Sequence, residues 1–88
     1  MIHRTLIAQY KYRLENIKEK VSNEEIICYF AKEPIEKLLK EEKRLKVIFE
    51  EINTDKEIIE EITDLITETN QFLKDIVNII DIERNQCL

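Results

Sequence analysis

The chain contains no glycine in 88 residues. Glycine is the residue that adopts positive φ without a steric penalty, so tight β-hairpins are hard to build from this sequence. Phosphate-binding loops, dinucleotide fingerprints, nucleophile elbows and the common calcium loops all require glycine, which excludes these sites. We therefore expect an all-α fold in which short turns join the helices.

The first part of the chain has apolar residues at alternating spacings of three and four. These residues are Ile7, Tyr10, Leu14, Ile17 and Val21. The spacing places them on one face of a helix, as in the a and d positions of a heptad repeat, and predicts a helix over about residues 3–20. Ser22 and Glu25 have the spacing of a capping box, which predicts that a second helix begins at residue 23.

Pro34 interrupts the second helical stretch. Proline removes one helical hydrogen bond and clashes with the preceding turn, so we expect helical segments over about 23–32 and 34–52. The helix is either kinked or divided at Pro34, which gives three helices or four. On its exposed face we expect Glu42 to pair with Lys46, four residues later.

Asn53 and Thr54 separate the second stretch from the third. Asparagine tolerates the left-handed backbone that commonly ends a helix, and Thr54 with Glu57 has the spacing of a second capping box. The last helix is predicted over about 55–83, with a frayed tail at 84–88.

Thr69 interrupts the apolar face of this last helix at the heptad position between Ile62 and Ile76. Two interpretations stay open. The hydroxyl bonds back to its own helix, or it belongs to a polar layer that sets the register of the bundle.

Charge is distributed unevenly along the chain, with sums of +3 for residues 1–22, −2 for 23–53 and −6 for 54–88. The basic and acidic residues that flank the heptad seams of the first and last helices are Arg4, Lys11 and Lys18, and Glu61, Glu68 and Asp75. Such flanks pair between parallel helices. We therefore predict one domain over residues 1–88, an antiparallel, coiled-coil-like three-helix bundle with up-down-up topology.

The residues that commonly carry chemistry are scarce. His3 is the single histidine, and Cys28 and Cys87 do not have metal-ligand spacing. We therefore expect no catalytic residue, no metal and no cofactor. Two isolated cysteines fit a reducing compartment, and the longest apolar run is too short to cross a membrane. We therefore expect a protein that does not bind membranes and lies in the cytoplasm of its own cell or of a host cell.

Two features suggest a surface for a partner. Residues 26–31 are apolar around a whole helical turn, so this segment is either core packed around Pro34 or an interface anchored by Tyr29 and Phe30. Tyr12 lies off the first seam and is either an exposed anchor or a partly covered surface side chain.

The second feature is a group of acidic residues, Glu57, Glu60 and Asp64, near the start of the last helix. The helix dipole favours negative charge at this end. The alternative explanation is a partner with a basic surface.

The leading functional hypothesis is a non-enzymatic protein–protein interaction module that inhibits or regulates a larger protein. In size, charge and helical form the chain resembles phage-encoded inhibitors, antitoxins and bacteriocin immunity proteins, by analogy only. The alternative is a structural subunit or homodimer. A nucleic-acid-binding module ranks third, because an isoelectric point near 4.9 opposes it.

Overall fold

The computed structural model describes residues 2–25 and 27–86, with side chains up to residue 83. These residues form three helices and no strand: α1 (Ile2–Ser22), α2 (Cys28–Glu51) and α3 (Lys56–Gln86). The helices pack into an elongated bundle that measures 51 × 20 × 16 Å. The predicted all-α fold is confirmed.

Contacts between α1 and α2 show that these helices run in opposite directions. Near the start of α1, the His3 ring lies 4.9 Å from the ring of Phe49, measured between centroids. Further along α1, Arg13 Nη1 donates to Glu41 Oε2 at 2.7 Å. A later residue of α1 thus meets an earlier residue of α2.

Ion pairs align α1 with α3. Arg4 Nε lies 3.6 Å from Glu61 Oε1, and Lys18 Nζ lies 2.8 Å from Glu68 Oε1. The two helices therefore run parallel, and basic residues of the α1 flank pair with acidic residues of the α3 flank. The pairing does not keep one heptad register, because the two ion pairs are 14 residues apart on α1 and seven apart on α3. Exposed pairs of this kind contribute about 0–1 kcal/mol each, so they align the helices more than they stabilise them.

Most of the core comes from α2 and α3, whose backbones approach each other more closely than either approaches α1. Within the fully described α1, only Ile7 and Leu14 are buried. Ile52, the C-cap residue at which α2 ends, is 55% exposed. The fold is thus a tight α2–α3 pair with α1 packed against it.

The connection between α1 and α2 differs from the prediction. Ser22 is the last residue of α1, not the N-cap of a new helix, and α2 begins only at Cys28, after Ile27 at its N-cap. The predicted capping box at Ser22 is therefore wrong. The physical reason is that hydrogen bonds ending α1 occupy residues 23–25, so the helix closes one turn later than the serine indicates.

These closing bonds form a Schellman motif without glycine. The Glu24 amide donates to the Val21 carbonyl at 3.2 Å, and the Glu25 amide donates to the Lys20 carbonyl at 2.9 Å. Glu24 takes the position that is usually glycine, with φ of 60°. A side chain in this left-handed region costs about 1–2 kcal/mol.

We expect Glu24→Gly to raise the free energy of unfolding by about 0.5–1 kcal/mol. Glycine removes the steric cost of positive φ, although it also adds entropy to the unfolded chain. Chemical denaturation measures the change. Glu25→Gly is the control, because Glu25 does not have positive φ. An equal gain in both variants would contradict the explanation.

A second Schellman motif ends α2. The amide of Asn53 donates to the carbonyl of Glu50 at 3.3 Å, and that of Thr54 donates to the carbonyl of Phe49 at 3.0 Å. Asn53 has φ of 55°, which confirms its predicted left-handed conformation. The predicted cap at Thr54 is wrong, because its Oγ1 is buried and has no hydrogen-bond partner among the described residues.

Two further predicted boundaries are the break at Pro34 and the end of α3. Pro34 lies inside α2, which is one helix, so the predicted division is not confirmed and a kink stays a prediction. At the other end of the chain, α3 continues to Gln86, beyond the predicted end at 83. Residues 87 and 88 of the predicted tail, with Cys87, lie outside the described part of the chain.

Candidate functional site

The first turn of α2 presents two aromatic side chains to solvent. Tyr29 is 67% exposed and Phe30 is 63% exposed, whereas Ala31 is completely buried. The core interpretation of this apolar run therefore holds for Ala31, and Tyr29 and Phe30 lie at the surface. Ile26, which begins the run, lies outside the described residues.

Tyr29 and Phe30, termed here the aromatic pair, are held in a defined geometry. Their ring centroids are 5.5 Å apart with an interplanar angle of 81°, an edge-to-face contact of the kind aromatic rings prefer. Phe30 also borders a groove between α1 and α2, whose apolar lining includes Ile17 and Pro34. The aromatic pair thus lies exposed on α2, beside the shallow groove between α1 and α2.

The chain around the aromatic pair is mostly acidic. Lys32, Glu33 and Glu36 line a depression together with Tyr29 and Phe30. Within eight residues of the pair, four exposed glutamates outnumber two exposed lysines: Glu24, Glu25, Glu33 and Glu36 against Lys32 and Lys37. Arg13 and Lys37 line the α1–α2 groove beside Phe30, so the border of this apolar surface carries both signs of charge.

Tyr12 is 73% exposed on α1. It lies one helical turn before Asn16, which lines the same α1–α2 groove as Phe30. Residues four apart occupy one face of a helix, so Tyr12 is a neighbour of this groove.

The three acidic residues near the start of α3 lie in a different environment. Glu57 is an ion-pair partner of Arg4, with its Oε2 3.7 Å from Nη2. Glu60 and Asp64 are exposed, and Asp64 borders a groove between α1 and α3 that Lys11 also lines. Glu57 and Asp64 thus lie beside basic residues of α1, and Glu60 is exposed.

The aromatic pair and the acidic residues do not form one surface. Ala31 packs in a core cluster with Ile76, near the far end of α3. Glu60 precedes Ile76 by 16 positions, about 24 Å along a helix. The candidate residues therefore divide into two separate groups along the bundle.

The sequence did not predict a buried glutamate. Glu42 was expected to pair with Lys46 on the surface, but it is completely buried, and Lys46 Nζ lies 3.9 Å from Glu50 Oε1 instead. The signal was its spacing, because Glu42 stands at the heptad position between Leu38 and Leu45. The packing of the seam outweighed the preference of a charged group for water.

Glu42 meets Thr69 in the core. Thr69 Oγ1 lies 2.9 Å from the Leu65 carbonyl oxygen and 3.0 Å from Glu42 Oε2, so Thr69 bonds to its own helix and also takes part in a polar layer. Glu42 Oε1 has no hydrogen-bond partner among the described residues. Burial raises the pKa of Glu42 to about 7, against the opposing effects of Thr69 and Arg13.

The described residues contain no group of three or more histidine, cysteine or acidic side chains placed to bind a metal ion. No helix in this part of the chain combines the length and apolarity needed to span a bilayer. Comparison with protein-family models, curated proteins and solved structures gives no match to the chain.

Proposed function

We propose that this protein is a non-enzymatic protein-binding module that inhibits or regulates a larger protein through the aromatic pair. The observation that carries the proposal is the exposure of Tyr29 and Phe30, 67% and 63%, beside the fully buried Ala31. Aromatic residues are enriched at the energetic centres of protein interfaces, where they fill pockets on the partner.

The aromatic pair can supply the anchoring part of a larger interface, whose cost of association is itself about 4–15 kcal/mol. Covering roughly 250 Å² of the two rings yields about 6 kcal/mol before the cost of association. Because the edge-to-face contact already orders the rings, little side-chain entropy is lost when a partner binds them.

The net negative charge of the chain suggests the chemistry of the proposed partner. Glu33 and Glu36 lie beside the aromatic pair, and the whole chain has a net charge of −5. We infer that the partner presents an apolar pocket bordered by lysine or arginine, since opposite charges speed association and set orientation. We also propose that the protein is cytoplasmic. A further proposal is that α2 bends at Pro34 and that this bend directs its first turn toward the partner.

Variants of the aromatic pair test this proposal. We expect the double variant Tyr29→Ser/Phe30→Ser to keep its free energy of unfolding within about 0.5 kcal/mol, because exposed side chains contribute little to stability. Capture of the partner from extracts of the native cells should fall at least tenfold. Glu33→Lys/Glu36→Lys should also weaken capture, because it leaves only basic side chains among the charged residues that line the grooves beside the aromatic pair.

The matched control is Val47→Ser/Ile48→Ser, an exposed apolar pair on the same helix, 52% and 44% exposed. It should leave capture unchanged. If both double variants reduce capture equally, or if the aromatic variant unfolds, the aromatic pair is not the binding surface.

A second candidate is self-association. The opposite end of the bundle also exposes apolar residues, with Ile2 77% and Ile52 55% exposed. Light scattering distinguishes the two candidates. A dimer at all concentrations that becomes monomeric in Ile2→Ser/Ile52→Ser would place the self-association surface at this opposite end, and one that becomes monomeric in Tyr29→Ser/Phe30→Ser would assign the aromatic pair to a second copy of this chain.

A further inference from the structure

The Glu42–Thr69 contact has one property that depends on a proton. The Thr69 hydroxyl has a single hydrogen, yet its oxygen lies within hydrogen-bond distance of both the Leu65 carbonyl and Glu42 Oε2. Both neighbouring oxygens are acceptors when Glu42 is ionised. The single hydroxyl hydrogen can then lie in only one of these two contacts, so the other is a close approach of two oxygens with no hydrogen between them. Thr69 supplies the buried carboxylate with one hydrogen bond at most.

A protonated Glu42 resolves this conflict. The carboxylic acid O–H donates to Thr69 Oγ1, and the Thr69 hydroxyl donates to the Leu65 carbonyl, so both distances become hydrogen bonds. Glu42 is then uncharged, which a side chain with no exposed surface requires unless it is paired. The geometry therefore favours the neutral acid in the closed bundle.

Charged groups on the neighbouring helices do not replace that proton. Arg13 on α1 favours the ionised form, but its guanidinium lies 2.7 Å from Glu41. Glu68 on α3 opposes ionisation, and it is paired with Lys18 at 2.8 Å. Each nearby charge thus already has an opposite charge beside it.

Among the described residues, α1 contributes the fewest fully buried side chains of the three helices, Ile7 and Leu14, and Leu6, Tyr10 and Ile17 pack partly buried against the core. Leu14 belongs to the same core cluster as Leu38 and Leu45, one turn to either side of Glu42. The ion pairs that join α1 to α2 and α3 through Arg4, Arg13 and Lys18 are partly exposed, so water screens them. Movement of α1 is therefore the least costly way to hydrate Glu42.

We propose that Glu42 on α2 and Thr69 on α3 form a proton-dependent latch inside the bundle: the closed bundle, with α1 in place, is favoured while Glu42 is protonated, and α1 separates more readily when Glu42 is ionised. The released proton passes to solvent, and the carboxylate gains water as α1 moves away. The latch regulates opening of the bundle and does not depend on the identity of a partner.

Amide hydrogen exchange on the full chain at pH 5.5 and pH 8, corrected for intrinsic exchange rates, tests the latch. We expect protection of the buried face of α1 to fall at least tenfold more than that of α2 and α3 at the higher pH. In Glu42→Gln, which keeps a neutral group able to donate to Thr69, the difference should disappear. Glu36→Gln, at an exposed position of α2, and His3→Asn should behave like the wild type.

An equal loss of protection in Glu42→Gln, or a loss spread evenly over the three helices, would overturn the latch. If Glu42→Gln does not fold, NMR titration of the Glu42 side-chain carboxyl carbon in the wild type decides. A midpoint at or above about pH 6 supports the latch, and a midpoint below it overturns the proposal.

Discussion

Replacing Glu42 with leucine should raise the free energy of unfolding by about 3 kcal/mol at pH 8 and by about 1 kcal/mol at pH 5. Leucine fills a similar volume, needs no hydrogen bond and leaves Thr69 bonded to Leu65. Substituting apolar residues for buried ionic groups commonly stabilises proteins by about 1–4 kcal/mol. The smaller gain at pH 5 comes from removing Oε1, which has no hydrogen-bond partner among the described residues.

The pH dependence follows from proton binding by the two states. The pKa of Glu42 is about 7 in the folded chain against an ordinary value of 4.5, so the folded state holds the proton more tightly. Its contribution to stability is fully present below pH 4.5 and is lost as pH rises toward 7, by about 3 kcal/mol in total. Leucine cannot lose a proton, so its advantage grows over this range.

Urea denaturation at several pH values between 5 and 8 measures the effect. The difference between Glu42→Leu and the wild type is the relevant quantity, because other titrating groups contribute equally to both. Glu36→Leu, at an exposed position of α2, is the control and should show a difference that does not depend on pH. A Glu42→Leu variant less stable than the wild type at pH 8 would contradict burial of this carboxyl.

Replacing Leu14 with alanine should lower the free energy of unfolding by about 3–5 kcal/mol. Leu14 is completely buried and is one of two buried side chains of α1, so its loss leaves a cavity where this helix meets the core. A chain of 88 residues has a total stability on the order of 4–13 kcal/mol, so this is a large fraction.

The same variant reports on how α1 is held. If Leu14 attaches α1 to the rest of the bundle, α1 amides should exchange faster than those of α2 and α3 in Leu14→Ala. Ile2→Ala on the same helix is the control, because Ile2 is 77% exposed, and it should cost less than about 0.5 kcal/mol. Equal costs for the two variants would show that α1 does not pack as described.

Periodicity and charge order predicted the parts of the fold that depend on regular helix geometry. Residues such as Leu14 and Ile62 recur at heptad spacing and are completely buried, and Arg4 meets Glu61 as expected for parallel helices. Asn53 was predicted from its tolerance of positive φ. Each of these features follows from local or repeating rules.

Features that depend on three-dimensional context were not predicted. Glu24 occupies a position of positive φ because hydrogen bonds at the end of α1 require it, and the residue type gives no signal of this. Glu42 is buried because it stands at a core position of the heptad pattern. Glutamate is usually exposed, so its residue type alone predicts a surface position.

The candidate site was predicted only in part. The apolar run at residues 26–31 is consistent with either a core segment or an interface. Periodicity cannot distinguish the two, because it does not show which side of a short helical turn has neighbours. The exposure of Tyr29 became clear only from the packing of Ala31 against α3. The separation from Glu60 likewise required the lengths and directions of all three helices.

Photo-crosslinking from position 30 tests the central claim most directly, that the aromatic pair is the surface that binds a larger protein. A photoreactive phenylalanine analogue in place of Phe30 in the native cells should form a covalent adduct with one partner, at a peptide with apolar residues beside lysine or arginine. The same analogue at Glu60 should not form that adduct. Adducts only from Glu60, or only with further copies of this chain, would contradict the claim.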